Sequence, residues 1–111
     1  MSKPADCVQG TLDVLLLKIL TLEPLHGWAI SERLKQVSGG VLQVSEGSLY
    51  PALHKLEQEG WITARWQAAE TRKRAKFHSL TARGRKVLAR ETAQWDRLSS
   101  AVSQVLRLKE V

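Results

Sequence analysis

The sequence has very little cysteine: Cys7 is the only one among 111 residues. A single cysteine excludes an intramolecular disulfide and agrees with a reducing compartment. No apolar run approaches the roughly 18–20 residues that a membrane-spanning helix needs. The opening MSKPADCVQG also lacks the apolar region of a secretory signal. We therefore expect one small domain in the cytoplasm, with no part of it in a membrane.

Signatures of catalysis and metal binding are missing as well. There is no nucleophile elbow, no glycine-rich phosphate loop and no carboxylate pair beside a base. The three histidines, His26, His54 and His78, are scattered and lack the short spacing of metal ligands. The sequence thus predicts that the protein is not an enzyme and binds no metal or other cofactor.

Acidic residues are scarce in one part of the chain. The net charge is +6, yet residues 61–90 alone hold nine basic side chains and one acidic side chain, a net charge of +8. Four of these basic side chains fall within the run ETRKRAKF at residues 70–77. A concentration of positive charge suits a polyanion, either nucleic acid or an anionic membrane. Taken alone, such a run is more often merely solvated surface.

Two amphipathic segments open the chain. GTLDVLLLKILTLEP begins with a suitable helix N-terminus at Gly10 and Thr11, and Pro24 marks its end. HGWAISERLKQVSGG predicts a second helix, to whose start His26 contributes and which Gly39-Gly40 ends. Their apolar residues recur at helical spacing. These are Leu12, Leu15, Leu16, Ile19 and Leu20 in the first helix, and Ile30, Leu34 and Val37 in the second.

A third helix is predicted in VLQVSEGSLYPALHKLEQEG, where Gly60 provides the C-terminal stop. Its start has two alternatives. With Ser45 as the cap, Pro51 removes one intrahelical hydrogen bond, whereas with Ser48 as the cap Pro51 falls in the first turn at no cost. We favour Ser45 and a distorted first turn. The apolar stripe consists of Leu49, Ala52, Leu53 and Leu56.

A β-hairpin follows the third helix. WITARWQ alternates apolar and polar residues and is rich in β-branched and aromatic types, which predicts a strand. AKFHSL is a plausible return strand, so the basic run lies at the tip of the hairpin. Trp28, Trp61, Trp66 and Phe77 are predicted to be core or hairpin-base residues. Since those rings are expected to be buried, they argue against a stacking platform for RNA.

The last segment, TARGRKVLARETAQWDRLSSAVSQVLRLKEV, predicts a long helix capped by Thr81. Its apolar residues follow a spacing close to a heptad, which Glu91 interrupts at one position. Such a long helix cannot bury its stripe on so small a domain, which predicts a second copy of the chain as partner. The predicted dimerisation residues are Leu88, Trp95, Leu98, Val102 and Val105.

The order of elements predicts a mainly α protein with a small β-hairpin, a winged helix-turn-helix followed by a long C-terminal dimerisation helix. In that fold the third helix enters the major groove of DNA, and the hairpin is the wing beside it. The expected division is a flexible N-terminus at residues 1–9, a DNA-binding domain at residues 10–80 and a dimerisation helix at residues 81–111.

Four segments, GTLDVLLLKIL, HGWAI, GSLYPALHKLEQEGWI and RAKFHSLTARGR, together resemble the PadR family of bacterial transcriptional regulators. The resemblance covers roughly residues 10–108, and the single C-terminal helix is similar to the short branch of the family. Trp28 is a departure, since tyrosine is commoner there. The resemblance implies a dimeric winged-helix repressor joined through its terminal helix. In some members, small molecules near the dimer interface relieve repression.

Two groups of residues are predicted to bind double-stranded DNA. Helix N-termini approach phosphates readily, and polar side chains of the third helix reach base edges. Basic side chains of the wing neutralise phosphates, and one arginine could enter the minor groove. The recognition-helix candidates are Ser45, Gly47, Ser48, Tyr50, Pro51, His54 and Lys55. The wing candidates are Arg65, Arg72, Lys73, Arg74 and Lys76.

Trp95 has two interpretations, which are compatible. It is either a core residue of the dimer seam or the residue that stacks on a small aromatic effector in a cleft between the two copies. For the whole chain, the alternative to DNA binding is a winged-helix module that docks a protein partner through its apolar faces. Binding of duplex DNA at physiological salt distinguishes these two functions.

Overall fold

A computed structural model of the protein describes residues 4–110, with side chains described from residue 11. The first helix begins at Pro4, upstream of the start predicted at Gly10 and Thr11, because proline suits the first helical position. Residues 1–3 of the predicted flexible segment lie outside the residues that the structure describes. The side chain of Cys7 lies outside the described side chains. The elements are α1 (Pro4–Ile19), β1 (Leu25–His26), α2 (Gly27–Val37), α3 (Glu46–Gln58), β2 (Ile62–Ala68), β3 (Arg74–Leu80) and α4 (Ala82–Leu106).

The architecture confirms the predicted winged helix with a long C-terminal helix, and it adds a strand. The hairpin of β2 and β3 extends into a three-stranded antiparallel sheet in the order β1-β3-β2. In β1, Leu25 lies opposite His78 and His26 lies opposite Phe77. Strand β1 was not predicted, because two residues are too few to show an alternating pattern.

The core lies where α1, α2 and α3 meet the base of the sheet. Its fully buried side chains come from α1, α2, α3 and β2, and they include Leu17, which the predicted stripe of α1 left out. Val37 was predicted to face the core, but it is 73% exposed because it occupies the last position of α2, beyond the packed turns. The largest fully buried side chains are Leu12, Leu16, Leu17, Ile30, Leu49, Leu53, Leu56 and Ile62.

The caps of two helices confirm the sequence prediction. Thr81 Oγ1 accepts a hydrogen bond from the backbone N–H of Gly84 at 3.0 Å, which caps α4. The same hydroxyl donates to the carbonyls of Gly60 at 2.8 Å and Trp61 at 3.0 Å. These contacts join the start of α4 to the turn that ends α3. Gly60 has φ +79°, the left-handed conformation that glycine adopts after a helix without steric cost.

Gly84 allows α4 to approach that turn closely. It is buried, and a Cβ atom built on it would clash with the carbonyl oxygen of Trp61 and lie 2.8 Å from a methyl carbon of Leu80. Backbone cannot move aside as the end of a flexible side chain can. A glycine is therefore required where α4 passes over the α3–β2 turn.

His78 is the buried titratable residue of the sheet, with only 4% of its surface exposed. Burial lowers the pKa of its imidazole, while a hydrogen bond with the backbone of Leu25 acts in the opposite direction. Its Nδ1 atom has no hydrogen-bond partner within the described part of the chain. The neutral ring is therefore the form that the folded sheet accommodates.

Acidification is expected to destabilise the protein through His78. Because the folded-state pKa lies below the unfolded value, the stabilising contribution is complete above about pH 6.5 and falls as the pH drops towards the folded-state pKa. One such group changes the free energy of unfolding by at most about 1.4 kcal/mol per pH unit. Urea unfolding between pH 7.5 and 5 measures this slope. His78→Leu should flatten it and the exposed His54→Gln should not, and equal slopes in all three proteins would contradict the assignment.

No helix in the described residues is both long and apolar enough to cross a membrane.

Candidate nucleic-acid interface

Helix α3 begins where the first alternative placed it. Ser45 Oγ accepts a hydrogen bond from the backbone N–H of Ser48 at 3.2 Å, so Ser45 is the cap and the Ser48 alternative is wrong. Pro51 consequently lies inside the helix and has no N–H to donate to the carbonyl of Gly47. Pro51 is exposed, and that carbonyl belongs to the outward side of the helix, where water or a ligand can satisfy it.

The exposed face of α3 is opposite its buried leucines. Since successive residues of an α-helix are about 100° apart, Gly47, Pro51, His54 and Gln58 share this face. All four are exposed. Ser45 and Ser48 stand at its N-terminal end, where the free backbone N–H groups of the first turn point outward. The structure therefore brings five of the predicted recognition residues together, the cap residue Ser45 included.

Tyr50 lies on the flank of α3 that faces the wing. Its ring packs against the first turn of α2, because a Cβ atom added to Gly27 would lie 2.8 Å from the Tyr50 Cε1 atom and 2.9 Å from its hydroxyl oxygen. The ring remains 49% exposed. Glu57 lies on the same flank two turns later. Gly27 thus allows the close contact that holds Tyr50 beside the exposed face.

Lys55 lies on the opposite flank, towards α1. Its Nζ atom forms a salt bridge with Asp13 Oδ2 at 2.8 Å, and this hydrogen bond raises the pKa of the lysine. The pair is largely exposed, so it contributes little to stability. Its effect is positional, because the ammonium group predicted to contact DNA is engaged with the first helix in the free protein.

Helix α2 is positioned by His26, as predicted. Its Nδ1 atom accepts a hydrogen bond from the backbone N–H of Ala29 at 3.3 Å, which makes the imidazole the cap of α2. The imidazole also contacts the edge of Phe77, with ring centroids 5.3 Å apart. The cap therefore ties the start of α2 to β3.

The register of the hairpin sorts the basic residues of the wing. Trp66 pairs with Lys76, whereas Arg65 pairs with Phe77. Side chains of neighbouring strand positions point to opposite faces. Arg74 and Lys76 therefore share the face that is turned towards α3, and Arg65 lies on the other face. Arg72 and Lys73 belong to the tip, between the two strands.

One ion pair joins the wing to the recognition helix. Lys76 Nζ lies 3.3 Å from Glu57 Oε2, and both side chains are partly buried. The pair connects the wing to the flank of α3 and offsets part of the positive charge of Lys76. Glu57 was not predicted to be a site residue, although helical spacing from Tyr50 places both residues on one flank of α3.

The tip of the wing contains a backbone outlier. Arg72 has φ +65°, and it is the one described non-glycine residue with a positive φ. Its N–H donates to the carbonyl of Ala69 at 2.9 Å, and the Ala69 N–H donates to the carbonyl of Lys73 at 2.9 Å. The left-handed conformation costs a residue with a Cβ atom about 1–2 kcal/mol. This strained position at the tip therefore makes Arg72 a candidate functional residue.

Replacing Arg72 by glycine is expected to separate stability from DNA binding. The free energy of unfolding of the variant should be about 1 kcal/mol higher than that of the wild type, because glycine adopts the left-handed turn without strain. Its affinity for duplex DNA should fall, because a phosphate contact is lost. Thermal melts and anisotropy titrations measure the two effects. Lys73→Gly is the matched control, since Lys73 has no positive φ and should gain no stability.

A cleft separates α3 from the wing, and we call it the aromatic groove. It encloses about 480 Å³ between the start of α2, one flank of α3 and the wing. Trp28 and Trp66 were predicted to be buried, but they are 67% and 58% exposed. Trp28 lies about 200° around α2 from the buried Ile30, and Trp66 belongs to the outer half of β2, all of which is exposed. The prediction was wrong for both. The groove is lined by, among others, Trp28, Tyr50, His54, Glu57, Trp66 and Lys76.

The predicted dimerisation residues separate into two groups. Leu88 is buried in the core of its own protomer. Trp95, Leu98, Val102 and Val105 follow along α4 and are each between 46% and 65% exposed. An apolar stripe of this kind on a soluble chain marks an interaction surface.

Trp95 stands between two clefts beside α4. One of about 830 Å³ separates α4 from α1 and includes Leu15, Leu42 and Leu88 in its lining. The other, of about 260 Å³, includes Trp61 and Leu98. Trp95 lines both, which agrees with either of its predicted roles.

Comparison with known proteins identifies the family. The family model described as the transcriptional regulator PadR-like family matches residues 16–90, about two thirds of the chain. The chain belongs to the PadR-like family. The matched residues include α3 and the whole wing, which carry the candidate interface. PadR-like proteins are DNA-binding regulators and not enzymes. As a member of the family, this protein is a DNA-binding regulator as well.

Solved structures agree with this assignment. A PadR family transcriptional regulator from Eggerthella lenta is 28% identical with a TM-score of 0.79, over 95% of this chain and 89% of that chain. A PadR-like regulator from Bacillus cereus is 26% identical with a TM-score of 0.80, over 94% and 99% of the two chains. The chain is also similar in sequence to an uncharacterized 37.1 kDa protein in a transposon of Streptomyces fradiae. The two are 38% identical over 89 residues, and the match spans 80% of this chain but 24% of that protein.

Proposed function

We propose that this PadR-like regulator is a cytoplasmic homodimeric repressor that binds an inverted repeat in duplex DNA. Two copies of α3 enter successive major grooves on one face of the duplex, and the wings contact the flanking minor grooves. The observation that carries the proposal is the exposed face of α3 beside a basic wing tip, on a protomer whose last helix displays an uncovered apolar stripe.

The apolar stripe of α4 supports the homodimer. Trp95, Leu98, Val102 and Val105 are spaced by three, four and three residues, which is the spacing of a seam between two helices. The second half of α4 lies beyond the core, whose α4 members are Val87 and Leu88. A second copy of the same helix covers such a stripe, because a two-fold interface joins identical patches.

Fluorescence anisotropy tests the DNA-binding part of the proposal. The probe is a labelled duplex from the region upstream of the protein's own gene, compared with a scrambled duplex at two salt concentrations. Tighter binding to the native duplex that persists at the higher salt is the expected result. Equal binding to both duplexes that disappears at the higher salt would contradict sequence-specific recognition at this site. A folded dimer that binds neither duplex would favour a protein-binding module.

Removing two wing arginines is expected to weaken the binding of all duplexes equally. Each phosphate contact adds about 0.9 to the slope of log affinity against log salt, so Arg72→Ala with Arg74→Ala should reduce that slope by about 2. The matched control is Lys35→Ala with Lys109→Ala, which removes the same charge outside the wing and α3. An unchanged slope in the wing variant would show that the tip does not contact phosphates.

We propose further that a small planar aromatic effector binds beside Trp95, in the clefts that a second α4 closes, and relieves repression. Support comes from the position of Trp95 in the lining of both clefts. Relief of repression requires that the ligand binds more tightly to a dimer in which the spacing between the two α3 helices does not match the operator. Quenching of tryptophan fluorescence by planar aromatics should fall in Trp95→Leu and persist in Trp28→Leu. Equal quenching in wild type and Trp95→Leu would exclude Trp95 from the site.

A further inference from the structure

Three of the four exposed aromatic side chains of the described chain meet in one place. Trp28, Tyr50, Trp66 and Trp95 are the aromatic residues among the exposed large hydrophobic side chains. All except Trp95 line the aromatic groove. These three come from α2, α3 and β2. Convergence of exposed rings from separate elements on one cleft marks a binding surface rather than incidental exposure.

The position of the aromatic groove identifies what would occupy it. It lies between α3 and the wing. When α3 is in the major groove and the wing is in the adjacent minor groove, the strand that separates these two grooves passes between them. The occupant at this position is therefore the sugar-phosphate backbone of one DNA strand. The aromatic groove is also continuous with the exposed face of α3, because His54 belongs to both.

The chemistry of the walls distinguishes the sugars from the phosphates. The charged groups in the lining, Glu57 and Lys76, neutralise each other in the 3.3 Å ion pair. A cleft whose two charges are paired with each other and whose walls include indole rings suits the apolar faces of deoxyribose. The unpaired cations, Arg72, Lys73 and Arg74, lie at the tip of the wing, further out along the hairpin than Lys76, where they could reach the phosphates that flank those sugars.

We propose that the aromatic groove holds the backbone of one strand in each half-site, with Trp28 and Trp66 packing against its deoxyribose rings, and that this contact selects DNA over RNA. A ribose 2′-hydroxyl at these sugars would be pressed against an indole with no hydrogen-bond acceptor, which disfavours binding. This inference rests on the proposed function, and it adds a recognition of sugar type that the bases and phosphates do not provide.

Hydroxyl-radical footprinting tests the proposal directly, because the reagent attacks the hydrogens of deoxyribose. Wild-type protein on the upstream duplex should protect a short run of sugars on one strand of each half-site. Trp66→Ala should lose that protection and about tenfold in affinity, while methylation protection of major-groove guanines by α3 persists. Gln67→Ala is the matched control, since Gln67 is the next residue of β2 and points to the other face of the wing.

A second variant and a second probe keep the result unambiguous. Trp28→Ala should lose protection of the same run of sugars, and Val37→Ala, at the exposed far end of α2, should not. Ribonucleotides placed at those sugars should weaken the binding of the wild-type protein but leave the binding of Trp66→Ala unaffected.

Unchanged sugar protection in both tryptophan variants would overturn the inference while leaving the proposed function intact. Tighter binding to an unpaired thymine tract than to the duplex would also overturn it and indicate a base-stacking platform. Absence of any footprint from wild-type protein would instead contradict the proposed function.

Discussion

Replacing Gly84 by alanine is expected to unfold the regulator or to lower its free energy of unfolding by about 3 kcal/mol. The added methyl group would overlap the carbonyl oxygen of Trp61 and contact Leu80. The overlap is relieved only if the first turn of α4 lifts away from the α3–β2 turn. That movement strains the hydrogen bonds from Thr81 Oγ1 to the carbonyls of Gly60 and Trp61. Urea unfolding followed by circular dichroism measures the loss.

Gly47→Ala is the matched control for this prediction. Gly47 also lies in a helix, but a Cβ atom there would meet only Ser45 Oγ, at 3.8 Å. Because alanine loses less conformational entropy than glycine in a helix, this variant should gain about 0.5–1 kcal/mol. Two substitutions of the same type should therefore change stability in opposite directions. Equal effects would show that α4 does not pass as close to Trp61 as the structure places it.

Introducing glutamates into the apolar stripe of α4 is expected to abolish both the proposed dimer and tight operator binding. Leu98→Glu with Val102→Glu places four unpaired carboxylates in the seam of a dimer, and burying them is too costly for the interface to form. Light scattering should then report the protomer mass of 12.4 kDa. Operator affinity should fall by about 100-fold or more, because the second half-site contact is no longer intramolecular.

The control for this prediction adds the same charge elsewhere on α4. Ser100→Glu with Gln104→Glu places the carboxylates on the opposite side of the helix from Leu98 and Val102. That variant should remain a dimer with slightly weaker DNA binding, since negative charge repels phosphates at long range. A glutamate variant of the stripe that remains dimeric would move the interface away from α4.

Local signals made several helix ends of this protein readable from sequence, although not the start of α1. Ser45, Thr81 and Gly60 act on backbone groups within a few residues of themselves, so their effect depends on little else. Trp61 donates to the carbonyl of Leu56 and Gly60 to that of Glu57, which completes the C-terminal motif that Gly60 predicted. The recognition helix and its exposed face could be placed for the same reason.

The features that were predicted wrongly or left open depend on tertiary contacts between residues far apart in the sequence. Alternation puts Trp66 on the same face of β2 as the buried Ile62, but only the fold determines that the ring of Trp66 stays exposed beside a cleft. Lys55 appears free in the sequence, and its partner Asp13 is 42 residues away. Strand β1 exists only because β3 is already present as its template.

The link between Thr81 and the end of α3 has a mechanical consequence. The N-terminus of α4 is attached to the turn that ends α3 by the hydrogen bonds of Thr81 to Gly60 and Trp61. The two helices are therefore expected to move together like the arms of a lever, with this junction as the fulcrum. The far end of α3 is about 20 Å from that fulcrum, so a rotation of α4 by about 5° shifts it by about 2 Å. A displacement of that size exceeds the tolerance of a hydrogen bond to a base edge. In the proposed dimer, small changes in the packing between the two α4 helices would thus be amplified into weaker binding of the operator.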